Sequence, residues 1–117
     1  MARVALLCPD LLFGSKVEGG LRAAGHEVER YDDADAARAA APGVDLLVVD
    51  LTDDRFDGPA LVQALRMGSE QVPVLGFYSH VEQDVRVRAE EAGFDRVVPR
   101  SRMAREMAAL VDGMLAS

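Results

Sequence analysis

The chain lacks the means to staple itself. Its single cysteine, Cys8, can form no internal disulfide, which agrees with a reducing compartment. It also lacks any apolar run approaching the ~18 residues that a membrane-spanning helix needs. The start, Met1-Ala2-Arg3, leads into an apolar segment of only about five residues, too short for the h-region of a secretory signal. The expectation is a cytoplasmic protein with no membrane partner. No Cys/His spacing of a zinc site, no GxGxxG loop, no internal repeat, no linker and no low-complexity segment is present. A basic stripe is missing as well. With a formal net charge of −7, the surface is unsuited to neutralising phosphates, so no nucleic-acid partner is expected. The local basic clusters, Arg86/Arg88 and Arg100/Arg102/Arg105, read as solvated helix faces in preference to a patch for an acidic partner.

What is present suffices for one folded domain spanning residues 1–117, since half of the 117 residues are hydrophobic. The chain is organised around Val44-Asp45-Leu46-Leu47-Val48-Val49-Asp50. Leu46 to Val49 leaves no polar face, so helices must cover both sides of this strand. The run stops on a carboxylate, Asp50, and opens into an acidic loop.

Elsewhere the punctuation is regular. Val4 to Cys8 reads as a buried strand. Phe13, Val17, Leu21 and Ala24 then mark one helix face that Gly25 ends. Glu27 to Tyr31 mixes charge into a strand pattern and reads as an edge. Asp32 to Ala41 is an alanine-rich helix capped by Asp33 or Asp35 and stopped by Pro42-Gly43. Asp57-Gly58-Pro59 starts a helix with Leu61, Ala64, Leu65 and Gly68 inward. Val72 to Phe77 is the fourth strand. Val81, Val85, Ala89 and Ala92 mark the next helix, which Gly93 ends, and Phe94 to Val98 is the last strand. Met103, Met107, Leu110, Val111, Met114 and Leu115 give the final helix a stripe that reads as core filling in preference to a partner surface. His26, just past a helix-ending glycine, is expected to be exposed.

Alternation of five strands and five helices implies a parallel sheet with right-handed crossovers. The most apolar strands, the first, third and fourth, belong in the middle. Strand order 2-1-3-4-5 meets that constraint and gives an α/β, flavodoxin-like (βα)5 three-layer sandwich. Its switch point lies between the first and third strands. The candidate site is therefore Cys8-Pro9-Asp10, Asp50 with its loop, and Tyr78-Ser79-His80.

In this order and spacing, the fragments "VDLLVVDL…DG", "VPVLGFYSH", "EEAGFDRVVPR" and "LRAAGHEV" resemble the receiver domain of bacterial response regulators over nearly the whole chain. The resemblance puts Asp50 at the phosphoacceptor position and implies signal transduction in a two-component system, with Mg²⁺ held by two acids after the first strand. Those two positions carry Cys8 and Pro9 here, and only Asp10, one residue later, is acidic. The family's hydroxyl residue aligns with Tyr78, with Ser79 one position late. Its lysine aligns with Arg100, which Ser101 follows where a proline is usual, and its aromatic switch position aligns with Val97.

A proline offers no side-chain ligand and a thiol suits a hard cation poorly, so no metal or other cofactor is expected. Asp10 and Asp50 are weak candidates for Mg²⁺ under an alternative reading. Asp50 then reads as a carboxylate hydrogen-bonded to Arg100 or to loop amides. The reading that follows is a stand-alone, degenerate receiver-like domain, not an enzyme. It acts by contact with another signalling protein such as a histidine kinase or regulator, or as a homodimer. The expected contact face comprises the last two helices and last strand, with Arg86, Arg88, Arg102 and Arg105 at its rim.

One alternative is a phosphorelay receiver phosphorylated on Asp50. Another is a small-molecule binder or enzyme using the crevice between the first and third strands. A Cys8–His80 thiol–imidazole pair is disfavoured, because the two backbones would lie roughly 10 Å apart at about 4.8 Å per strand step. Gly14-Ser15-Lys16 lacks the glycine spacing of a phosphate loop. The acids Asp50, Asp53, Asp54 and Asp57 read as a solvated loop in preference to a cation site.

Overall fold

Every residue of the central strand, Leu46–Asp50, is buried, as a run without a polar face requires. The computed structural model describes residues 1–79 and 83–116. In chain order the elements are β1 (Arg3–Leu7), α1 (Leu11–Ala23), β2 (Glu27–Tyr31), α2 (Ala34–Ala40), a 3-10 turn (Ala41–Gly43), β3 (Leu46–Asp50), α3 (Gly58–Met67), β4 (Val74–Tyr78), α4 (Gln83–Ala92), β5 (Arg96–Pro99) and α5 (Arg100–Leu115). The strands form one parallel sheet in the order β2-β1-β3-β4-β5. The polar strands β2 and β5 lie at its edges, as their composition predicts.

Period-two alternation sorts the strand residues between two cores. Val4, Leu6, Val48, Leu75 and Phe77 pack against Phe13, Val17 and Leu21 of α1 and Met103, Met107, Leu110 and Val111 of α5. Ala5, Leu7, Leu47 and Val49 face the other way, toward Ala37 of α2, Leu61, Val62 and Leu65 of α3 and Ala89 of α4. These two faces make the three layers. The methionine stripe of α5 is core, since Met103 and Met107 are buried. Helix α1 lies close to α5 at Gly20, where a Cβ would stand 2.3 Å from the Met107 sulfur.

Local chemistry sets the helix ends. Asp10, Asp33 and Asp57 are the N-caps of α1, α2 and α3, accepting from the amides of Phe13, Asp35 and Ala60. Gly25 (φ 95°) and Gly93 (φ 113°) turn the chain beyond α1 and α4 in a conformation that side chains rarely adopt. On the outer edge of the sheet, Arg22 donates to the Val28 carbonyl at 3.0 Å.

Some expectations need correction. β1 ends at Leu7, one residue before Cys8, and β5 starts at Arg96, because Phe94 packs into the core ahead of it. α2 is shorter than Asp32 to Ala41, since Asp33 caps it and the 3-10 turn takes over at Ala41. Ala24 and Gly68 are exposed helix-end residues and not inner-face ones, while Val62 is buried on α3. Val81 lies outside the described residues.

His26 is not exposed. Only 7% of its side chain meets solvent, because the turn at Gly25 tucks the ring between the N-terminus and α5. Nδ1 accepts from the Ala2 amide at 3.3 Å and Nε2 lies 2.7 Å from Asp112 Oδ1. An amide can only donate, so the proton sits on Nε2 and points at the carboxylate.

Urea unfolding should separate these roles. His26→Ala is expected to cost about 1–2 kcal/mol through its two hydrogen bonds. Leu47→Ala in the core should cost about 2–5 kcal/mol. Leu12→Ala, at an 84% exposed position, should stay within about 0.5 kcal/mol of wild type.

Candidate functional site

Parallel pairing puts the carboxyl ends of β1, β3 and β4 side by side, and loops after β1 and β3 form a shallow cleft there. Pro9, Asp10, Leu11, Asp50, Thr52 and Asp53 are among its lining residues, and its volume is about 480 Å3. Asp50 follows Val48 toward the α1 side of the sheet and is only 1% exposed. Its Oδ1 accepts from the Thr52 amide at 2.8 Å and from the Thr52 hydroxyl at 2.5 Å. Its Oδ2 lies 3.5 Å from the sulfur of Cys8, which is wholly buried. Burial, then the nearby Asp50 charge, pushes the Cys8 thiol up to about 12. The thiol therefore stays protonated near neutrality and donates to the carboxylate.

Asp10 is built differently. Its Oδ1 caps α1 through the Phe13 amide at 3.0 Å, and its Oδ2 accepts from Arg100 at 3.0 Å. The Phe13 amide, then the Arg100 guanidinium, hold this carboxyl below its ordinary range. Arg100 also lies 4.2 Å over the Phe13 ring. The expected alternatives for Asp50, Arg100 or loop amides, thus resolve to a loop amide. Arg100 pairs with Asp10 because the first turn of α5 faces the loop after β1.

Of the candidate residues, Cys8 and Asp50 are in contact, and Pro9 and Asp10 share the cleft with Asp50. Tyr78 packs in the opposite core with α3 and α4, across the sheet from Asp50, and Ser79 is half-buried after it. His80 lies outside the described residues. In the acidic set, Asp53 is bound by Arg55 at 2.6 Å and Asp57 caps α3.

No family model matches the chain. The chain is 33% identical over 115 residues to the transcriptional regulatory protein PrrA of Mycobacterium bovis, covering 97% of this chain and 49% of that protein. It is 29% identical over 115 residues to the transcriptional regulatory protein QseB of Haemophilus influenzae, covering 97% and 52% respectively. The chain spans about half the length of these curated relatives. Among solved structures, the receiver domain of NtrX from Brucella abortus has a TM-score of 0.86 at 23% identity, covering 97% of this chain and 98% of that one. The receiver domain of the Francisella response regulator 1452 has a TM-score of 0.87 at 16% identity, covering 99% and 98%.

The fold is that of a response-regulator receiver domain. The resemblance to receivers implies a magnesium ion beside Asp50, and the donor chemistry can be tested against it. Mg²⁺ demands hard oxygen ligands in near-octahedral array. Pro9 has no side-chain oxygen to give, and the Cys8 thiol keeps its proton. Both Asp10 oxygens already receive donors, as do both oxygens of Asp50. Among the described residues, no three of His, Cys, Asp or Glu are placed to hold a metal together. The donor set does not fit magnesium.

Two residues of this receiver fold escaped the sequence reading. Thr52 sits two positions past Asp50, a spacing at which an aspartate accepts from its own chain, so the Asx-turn rule pointed to it. Arg30 shares the inward face of β2 with Val28 by period-two alternation. It reaches over Gly14 to the carbonyls of Cys8 and Asp10, both at 3.3 Å.

Two pH limbs follow. Asp10, depressed in the folded state, and Asp53, held down chiefly by Arg55, bind fewer protons folded than unfolded. Their contribution is full above the ordinary carboxylate range and should fade as pH falls below about 4. Asp10→Asn is expected to flatten part of that acid limb. Cys8 does the reverse. Its stabilisation is full below its unfolded value of 9.0 and is lost as pH rises toward about 12. Cys8→Ala should flatten this alkaline limb in urea titrations at successive pH values.

Proposed function

We propose that the chain is a receiver domain of a two-component pathway that signals by binding another signalling protein, without Mg²⁺-dependent phosphorylation of Asp50. The observation that carries this reading is the Cys8–Asp50 contact, a protonated thiol in the place of a metal-holding acid. Phosphoryl transfer to a carboxylate relies on cations that neutralise the moving oxygens. Here Arg100, a cation at this end of the sheet, is engaged by Asp10. The domain is then a binding module and not an enzyme, and it takes no cofactor.

The proposed contact surface is the face made by α4, β5 and α5, for a histidine kinase, a regulator or a second copy of the chain. It is supported by the open edge of β5 and by Val87, which is 51% exposed on α4. The four rim arginines are locally balanced. Arg86 pairs with Glu90, Arg88 with Asp57, and Arg102 and Arg105 both with Glu106. Such exposed pairs contribute little to stability and are free to exchange partners.

Incubation with Mg²⁺ and acetyl phosphate, followed by intact mass measurement, tests the reading. The wild-type chain is expected to gain no labile phosphoryl group. The Cys8→Asp/Pro9→Asp variant should be labelled about 10²-fold faster, the scale on which one preorganised electrostatic stabiliser acts. Rapid wild-type labelling that disappears in Asp50→Asn would establish the phosphorelay reading instead. The small-molecule reading would gain from ligand-dependent thermal stabilisation that is lost in Asp50→Asn.

A further inference from the structure

Two guanidinium groups from distant parts of the chain converge on the loop after β1. Arg30, from β2, approaches from beneath. Its Nη2 donates to the carbonyls of Cys8 and Asp10, and its Nη1 to the Ser15 hydroxyl at 3.3 Å. The space for it exists because residue 14 is glycine, where a Cβ would lie 2.5 Å from the Arg30 guanidinium. Arg100, the first residue of α5, takes the Asp10 carboxylate while stacking on Phe13. Phe13 in turn donates its amide to the other Asp10 oxygen and packs against Phe77 of β4, ring centroids 5.1 Å apart.

We infer that Arg30 and Arg100 are resident cations that hold the Cys8–Asp10 loop in one conformation without a metal ion, and that the Asp10–Arg100 contact couples this loop to the start of α5. The inference rests on the reading that the Asp50 cleft does not take Mg²⁺, and it supplies the regulation that reading leaves open. Charge at Asp10 is the variable. A partner that offers its own cation to Asp10 releases Arg100, and Arg100 belongs to the helix of the proposed contact face. The coupling is carried by contiguous contacts from Asp10 through Arg100 and Phe13, each visible as a hydrogen bond or a ring contact. A single half-exposed ion pair is weak. Here it is reinforced because Asp10 is also a helix cap and Arg100 is also stacked.

Amide NMR on the full chain tests this. Asp10→Asn keeps the capping oxygen and removes the charge. It is expected to shift amides of residues 100–104 as well as 11–14, and Arg100→Gln should shift the same set. The double variant should move them no further than either single one, the mark of a shared interaction. Additive shifts, or shifts confined to the segment carrying each substitution, would overturn the coupling. Gly14→Ala displaces Arg30 without altering its charge, and should shift the amides of Cys8 and Asp10. If those amides stay in place, Arg30 is no part of the device. Millimolar MgCl2 on wild type is the separate control. Shifts at Asp10 and Asp50 on its addition would defeat the metal-free reading, whatever the variants show.

Discussion

A strand made of Leu46, Leu47, Val48 and Val49 has no side it can leave in water, and the rest of the molecule answers to that constraint. Helices must lie on both faces, so connections must cross over and neighbouring strands must run parallel. Parallel strands bring all their carboxyl ends to one edge. That edge is where Asp50 terminates the apolar run, and where loops from β1 and β3 meet around it. The position of the candidate site is thus a consequence of how the core is closed.

Burying a carboxylate at that edge costs free energy unless its oxygens are satisfied. In this chain the satisfaction is internal. Thr52 supplies two donors and Cys8 a third, weaker one, while Asp10 is absorbed by a helix cap and by Arg100. A receiver scaffold with its acids so engaged has little left for a hard cation. The same contacts give the cleft a fixed arrangement of its own, with Arg30 under the loop and Phe13 between Arg100 and β4.

The sheet order was legible because apolarity differs so plainly among strands. β3 and β4 are buried throughout, whereas Glu27, Glu29 and Arg96 mark the edges. Local chemistry alone pointed to the glycine turns at Gly25 and Gly93. It narrowed the caps to Asp33 or Asp35 and Asp57 or Gly58, of which Asp33 and Asp57 are the ones used. Side-chain partners were harder. Pairing Arg100 with Asp10 depends on where the first turn of α5 points, which spacing along the chain does not encode. His26 was misplaced for a related reason. A residue after a helix-ending glycine is usually outside, and only the approach of α5 from the far end of the sequence covers it. The helix-face patterns also overreached at their ends, at Ala24 and Gly68, where the last turn lifts away from the core.

The small bond from Arg22 to the Val28 carbonyl bears on how far the sheet can grow. An outermost strand exposes a row of unused donors and acceptors that another chain can adopt as a template. On β2 one acceptor is already taken by a guanidinium, and glutamates flank it on either side. A stranger docking there would have to strip charged groups of water and gain one fewer backbone bond. Accretion of further strands is thereby discouraged on the β2 flank, which leaves the flank of β5 as the more permissive side for lateral association.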